Sequence, residues 1–250
     1  MYHFFVESSQ LTPDYKKVEI TGADYNHIAH VLRMKAGEQF SVSIRDDEEG
    51  KELFYEIEEI DDSHVIGNLC FVEEVGNELP SRIYLFQGLP KVDKMELIIQ
   101  KAVELGAYQI IPMASKRCVV KLDEKKAQSK IKRWQAISEA AAKQSKRAII
   151  PEVAMPMTMK QAVEFCKDMA VKLIPYENAE HIDETKKLIE GIKPGQDIAV
   201  FIGPEGGFSD EEIELCRNND IKPITLGKRI LRTETAGFTI ISWLMYHLEG

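Results

Sequence analysis

The residues best suited to chemistry lie in two stretches near the C-terminus, Phe201-Ile202-Gly203-Pro204-Glu205-Gly206-Gly207-Phe208-Ser209 and Leu226-Gly227-Lys228-Arg229-Ile230-Leu231-Arg232-Thr233-Glu234-Thr235-Ala236. Each is a hydrophobic run that breaks into a loop and then enters a helix. Two loops should therefore leave the same edge of a sheet, where α/β proteins hold their ligands. The first packs three glycines and a proline into five residues, which lets backbone approach a ligand closely and adopt positive φ. Taken alone it is equally an ordinary turn. It has neither the G-x-G-x-x-G spacing of dinucleotide sites nor the Lys-Ser/Thr ending of a P-loop. The second stretch adds side chains. Ile230 and Leu231 are placed either to sandwich a flat apolar group such as adenine or to pack the loop down, while Arg232 and Glu234 are the nearest charged groups to a reacting atom. Glu234 suits the first turn of a helix equally well, where the macrodipole favours an acid. The pair of loops, rather than the glycines, is what points to a cofactor.

The elements that position these loops follow from period and punctuation. Ser209-Asp210-Glu211-Glu212 has the form of a capping box, so a helix starts there. From residue 83 onward strands alternate with helices: strands at 83–87, 109–113, 171–174, 197–202 and 223–226, helices at 93–105, 129–145, 158–168, 209–218 and 233–248. In the first helix Met95, Ile98, Ile99, Ala102 and Leu105 mark the buried face and Gly106 supplies the stop. That rhythm predicts a largely parallel sheet covered on both faces. Residues 1–76 read differently, as strands at 2–6, 17–20, 39–44, 53–60 and 64–72 with turn signals between them. One helix, 23–34, interrupts them, with Tyr25, Ile28, Val31 and Leu32 on one face. A small β-barrel carrying a helix is expected. Asp46-Asp47-Glu48-Glu49-Gly50 and Asp61-Asp62-Ser63 read as solvated hairpin turns. The polar stretch Glu74 to Pro80 reads as a linker, which sets two domains, 1–76 and 77–250.

A chain of 250 residues, 44% hydrophobic and 29% charged, is an ordinary globular composition. Nowhere do about 18 apolar residues run uninterrupted, so a cytoplasmic protein with no membrane partner is expected. Four cysteines without a C-x-x-C pair, and six histidines away from them, argue against a metal site or a disulfide framework. The net charge of −9 is unevenly spread. Lys116 to Arg147 holds eleven Lys or Arg against three Asp or Glu, whereas residues 1–79 hold six against eighteen. Cations neutralise phosphates, and Trp134 among them offers a face on which an unpaired base can stack. A solvated helix with Trp134 in the core is the alternative. Lys116, Arg117 and Arg147 flank helices, where a loop can face an anion.

Gly-Pro-Glu-Gly-Gly-Phe-Ser followed by Leu-Gly-Lys-Arg-Ile-Leu-Arg-Thr-Glu-Thr-Ala, with KMELIIQKAVELG, SKRCVVK and KQSKRAIIPEV upstream, resembles the bacterial 16S rRNA uracil-N3 methyltransferases, the RsmE family of the SPOUT superfamily. NHIAHVLRMKAGE, residues 26–38, resembles that family's N-terminal PUA-like barrel. The resemblance implies an S-adenosylmethionine enzyme with a PUA-like β-barrel before a SPOUT-type parallel sheet tied in a trefoil knot, acting as a homodimer on 16S rRNA of the small subunit. It implies a cofactor site built mainly from backbone: Pro175 and Tyr176; Ile202, Gly203, Pro204, Glu205, Gly206 and Gly207; Leu226, Gly227, Ile230, Leu231 and Thr235. RNA contacts would come from Arg33, Lys116, Arg117, Lys121, Lys143 and Arg147. The chain departs from the family where Lys143 replaces an acid, and where Tyr2-His3 stands in place of a basic residue.

Uracil N3 is a poor nucleophile until its proton leaves, and deprotonation puts negative charge on the flanking carbonyl oxygens. A guanidinium stabilises such charge in the transition state. Arg232 is the first choice for it and Arg147 the second, with Glu234 orienting the arginine or accepting the proton. Three rivals remain open at this point: a non-catalytic RNA-binding module, a nucleotide-dependent enzyme, and a SPOUT methyltransferase acting on another RNA such as tRNA.

Overall fold

The computed structural model of the chain describes residues 1–45, 47, 50–73, 77–91, 94–179 and 181–250. Asp46, Glu48 and Glu49 of the acidic turn, Glu74, Val75 and Gly76 of the linker, and Asp93 at the expected start of the first helix lie outside these residues. Two compact units are present, Met1–Glu78 with Ala142–Ile150, and Leu79–Ala141 with Pro151–Gly250.

In the first unit, strands β1 (Tyr2–Val6), β2 (Lys17–Thr21), β3 (Gln39–Ile44), β4 (Glu52–Ile60) and β5 (His64–Glu73) form one sheet in the order β1-β3-β4-β5-β2. Only β1 and β3 are parallel. Alternation decides which side chains turn inward: β2 buries Val18 and Ile20 and exposes Lys17, Glu19 and Thr21. The expected barrel is thus a curled sheet with β1 and β2 as its edges. The expected helix is a short α1 (Gly22–Asn26) that widens into a π-helical stretch, His27–Leu32, and stops at Arg33 in left-handed conformation, φ 54°. Tyr25 and Ile28 are buried as expected, but Val31 is 67% exposed. The wider i→i+5 turn rotates it off the face that a 3.6-residue period assigns to it.

The second unit carries β6 (Arg82–Gly88), α2 (Lys94–Glu104), β7 (Ala107–Ala114), α3 (Glu124–Ser145, shared with the first unit from Ala142), β8 (Glu152–Val153), β9 (Met157–Thr158) and α4 (Met159–Phe165). It continues with β10 (Val171–Pro175), α5 (Ile182–Glu190), β11 (Asp197–Ile202), α6 (Asp210–Arg217), β12 (Lys222–Ile224) and α7 (Thr233–Glu249). All strand pairings are parallel, in the order β12-β10-β11-β6-β7-β8, with β9 also on β7. The central strands β6 and β11 are buried almost throughout, as apolar runs covered on both faces must be. After β6 the chain moves on to β7 on one side, and after β11 it moves across β10 to β12 on the other. The carboxyl ends of β6 and β11, paired at Gln87 and Ile202, therefore flank a topological switch point, which opens a crevice.

Two expectations about helices change. Helix α5 was not foreseen, because its sequence is polar and buries only Thr185 and Ile189. In α3, Ala127, Trp134, Ser138 and Ala141 form the buried face, and Trp134 is only 4% exposed. Its ring belongs to the core and is closed to a stacking base, so the core alternative holds.

Candidate active site

A cavity of about 500 Å³ opens at the carboxyl ends of β10, β11 and β12, within the size range of ligand pockets. Its walls are the glycine loop Ile202 to Phe208, the second loop Thr225 to Thr233, and the turn Pro175-Tyr176-Glu177. Every residue expected at a cofactor lines it except Thr235. Arg232 lines it too, whereas Glu234 and Arg147 do not. Leu231 is half-buried, but Ile230 is 87% exposed at the rim. Ile230 thus does not pack the loop down.

Backbone geometry explains the glycines more narrowly than composition does. Only Gly207 (φ 65°) in the first loop and Gly227 (φ 110°) in the second take left-handed conformations. The tightest approach to the glycine loop lies at a residue the sequence did not single out. A Cβ on Gly88 would stand 2.6 Å from both Cδ and N of Pro204. Beside it, Gln87 is fully buried and donates from Nε2 to Thr233 Oγ1 at 2.8 Å, and Thr233 donates to the Gly203 carbonyl at 2.6 Å. One chain of hydrogen bonds thus fastens the end of β6, the start of α7 and the root of the glycine loop. A glutamine closing the apolar run Ile83 to Phe86 was the available signal, since a buried amide needs partners.

Charges fasten the same loops from a second side. Lys94, in the first turn of α2, lies 3.4 Å from Glu205 and 3.2 Å from Glu234. Glu205 also accepts the Lys91 N–H at 3.1 Å. Burial pushes the Glu205 carboxyl up, but hydrogen bonds from its own backbone and from Lys91, with Lys94 beside it, hold it below the usual carboxylate range. The expected capping box forms, Ser209 Oγ accepting from the Glu212 N–H at 3.3 Å and Ser209 N–H donating to Glu212 at 2.9 Å.

The other carboxylate oxygen of Glu212 takes the Lys116 N–H at 2.7 Å, and Lys116 Nζ sits 3.1 Å from Glu211. Glu211 is held down to about 2 by the Ser209 hydroxyl first, then by its own backbone and Lys116. Arg117 donates to the Gly206 carbonyl at 3.0 Å. Lys116 and Arg117, expected on RNA, brace the glycine loop and α6 while their side chains stay exposed.

Two more expected RNA contacts are engaged inside the first unit. Lys143 lies 3.2 Å from Asp24. Arg147 is 3% exposed and paired with Glu78, which also accepts the Ala148 N–H at 2.9 Å. Those bonds hold residues 142–150, and they leave Arg147 neither open to phosphate nor at the cavity. His3 is buried as well, 3.0 Å from Ser41 Oγ and 3.2 Å from Glu52. Of the six cations expected on RNA, Arg33 and Lys121 are exposed and have no partner among the described residues.

Comparison with known proteins agrees with this geometry. Residues 77–245 match a family model described as an RNA methyltransferase domain, and residues 20–70 match one described as an RNA methyltransferase PUA domain. The chain is 36% identical to the ribosomal RNA small subunit methyltransferase E of Bacillus subtilis (strain 168), over all of this chain and 98% of the relative. It is 34% identical to the Mesomycoplasma hyopneumoniae protein of the same name, over 97% of this chain and 98% of that one. Among solved structures, a putative methyltransferase from Legionella pneumophila in complex with the cofactor SAM superposes with a TM-score of 0.80 at 34% identity, covering 98% and 97% of the two chains. The ribosomal RNA small subunit methyltransferase E of Neisseria gonorrhoeae bound to S-adenosyl methionine gives 0.81 at 28% identity, over the same shares.

Proposed function

The chain belongs to the ribosomal RNA small subunit methyltransferase E family, and on that premise we propose that it transfers a methyl group from S-adenosylmethionine to N3 of one uridine in 16S rRNA. The observation that carries this reading is the pair of loops, set side by side at the switch point around an open cavity of about 500 Å³. The first loop, with three glycines, offers mainly backbone, and the second adds the side chains of Lys228, Arg229 and Arg232. Ile202, Leu226 and Leu231 supply apolar wall for an adenine, and the Gly203 to Gly207 and Leu226 to Gly227 backbones supply polar groups. The residues present thus fit the cofactor.

S-adenosylmethionine brings a methyl already activated on sulfonium sulfur, so the protein has to position the acceptor and manage one proton. Arg232 lines the cavity as the N-cap of α7, and none of the described residues pairs with its guanidinium. It is free to meet the charge that develops on the uracil carbonyl oxygens. Glu234 has its carboxylate on Lys94, so its part is to fix the first turn of α7, from which Arg232 leads into the loop. Lys94, absent from the sequence expectations, joins it as a positioning residue.

In the same reading, residues 1–76 bind RNA and residues 77–250 hold the catalytic domain, with the family's knot in the latter. The protein works in the cytoplasm, where ribosomal RNA is the substrate. Among the described residues no helix is long and apolar enough to cross a membrane. A homodimer completes the reading. On α7, Phe238, Trp243 and Met245 are only half-buried and Tyr246 is 82% exposed, more apolar surface than one subunit covers. Sedimentation at micromolar concentration should give a dimer; a monomer there would exclude it.

The decisive experiment maps methylated bases on 16S rRNA from cells with and without this protein. One N3-methyluridine should vanish in its absence and return when purified protein and S-adenosylmethionine are added to small subunits. Unchanged 16S rRNA, or a lost mark on tRNA, overturns the reading.

A further inference from the structure

Each of four of the six cations first expected on RNA has a partner for its charged group: Lys143 and Arg147 on Asp24 and Glu78, and, with their side chains still exposed, Lys116 on Glu211 and Arg117 on the Gly206 carbonyl. The opposite holds on the second loop. Lys228, Arg229 and Arg232 are exposed, line the mouth of the cavity, and have no partner among the described residues. Their loop is nonetheless ordered at its root, because Thr225 Oγ1 accepts the Gly227 N–H at 3.3 Å and Gly227 turns the chain at φ 110°. Between the cations sits Ile230, 87% exposed.

The chemistry of the acceptor gives this arrangement a purpose. N3 lies on the Watson–Crick edge of uracil, so a base that reacts there must be unpaired and turned into the pocket. When a base enters a pocket, its own phosphates and those of its neighbours remain at the mouth. Cations that carry no internal partner are the ones able to neutralise phosphate. An exposed aliphatic side chain can fill the stack the base has left, as apolar wedges do in other nucleic-acid complexes.

We propose that Lys228 and Arg229 are the RNA backbone grip of this protein, contacting phosphates that flank the target nucleotide, with Ile230 against the vacated stack. The inference rests on the RNA methyltransferase reading and adds to it the place where substrate is held.

The test is the salt dependence of binding to a single-stranded 16S rRNA transcript, measured at equilibrium without turnover. For the double variant Lys228→Gln/Arg229→Gln, the slope of log affinity against log salt should become shallower by about 1.4, at about 0.7 per single-strand phosphate contact. A charge-matched double variant in the basic segment, Lys125→Gln/Lys132→Gln, should change the slope by less than half as much. Ile230→Ser should weaken binding with the slope kept. A wild-type slope in the Lys228/Arg229 variant overturns the grip. Absence of salt-dependent RNA binding by the wild-type protein would instead overturn the function on which the grip rests. Because the slope requires neither cofactor nor catalysis, it still reads phosphate contacts in a variant with a damaged pocket.

Discussion

Replacing Arg232 with alanine should lower methyl transfer at least ~100-fold, the loss usual when one preorganised donor to a developing oxyanion is removed, and leave S-adenosylmethionine affinity within a few-fold of wild type. The two halves of this expectation have separate causes. Cofactor binding is assigned to backbone of loops that are tied by Gln87, Thr233, Lys94 and Arg117, and none of those ties passes through the Arg232 side chain. Charge stabilisation, by contrast, needs a cation with no internal partner at the cavity wall. Lys94 also lines the wall but is shared between Glu205 and Glu234. Arg232→Lys should recover only part of the rate, since a lysine keeps the charge and loses the planar fork that spans two acceptors. Single-turnover transfer of labelled methyl, with calorimetry of cofactor binding alongside, separates the two effects. Near wild-type turnover in Arg232→Ala would remove Arg232 from the chemistry.

Why some of this was legible in the sequence and some was not comes down to distance along the chain. The strand Asp197–Ile202, the capping box at Ser209 and the two loops at one sheet edge are local features, governed by period and punctuation within some ten residues. Residues 201–209 and 226–236 therefore map largely onto the cavity wall, Phe201, Ser209, Glu234 and Thr235 excepted. Lys94, Gln87 and Gly88 reach the site from more than a hundred residues away in sequence, through strand pairing of β6 with β11. No local pattern carries that information. The same reason explains the basic segment. Its composition is a local property, yet whether a cation has a partner depends on a distant acid or carbonyl, here Asp24 for Lys143, Glu211 for Lys116 and Gly206 for Arg117. Trp134 obeyed helical period, and its place in the core follows from Ala127, Ser138 and Ala141 sharing its face. Val31 did not, because a π-helical stretch has a different period.

Gly88→Ala should reduce S-adenosylmethionine affinity at least ~10-fold, about 1.4 kcal/mol, while the superficially more obvious Gly206→Ala should have little effect. At Gly88 the new methyl would meet Pro204 Cδ and N at 2.6 Å and the Gly203 carbonyl carbon at 3.0 Å. These are backbone and ring atoms, with no rotamer through which to retreat. Either the end of β6 or the glycine loop must shift, and overpacking of this kind typically costs about 1–3 kcal/mol. The loop cannot absorb the shift quietly, since Gly203 is held by Thr233 and Gly206 by Arg117. Movement at Pro204 is therefore passed to the carbonyl and amide groups expected to face the cofactor. A methyl on Gly206 would instead come within 3.2 Å of Arg117 Cβ, with the nearest backbone atom, the Arg117 carbonyl oxygen, at 3.6 Å, a far looser approach that a shift of a few tenths of an ångström relieves. Gly206→Val asks more of Arg117 and should fall between the two. The order Gly88→Ala, then Gly206→Val, then Gly206→Ala, read by calorimetry with thermal melting as a check on folding, tests close approach of backbone against glycine content. Wild-type cofactor affinity in a folded Gly88→Ala protein would show that the contact between β6 and Pro204 does not shape the pocket.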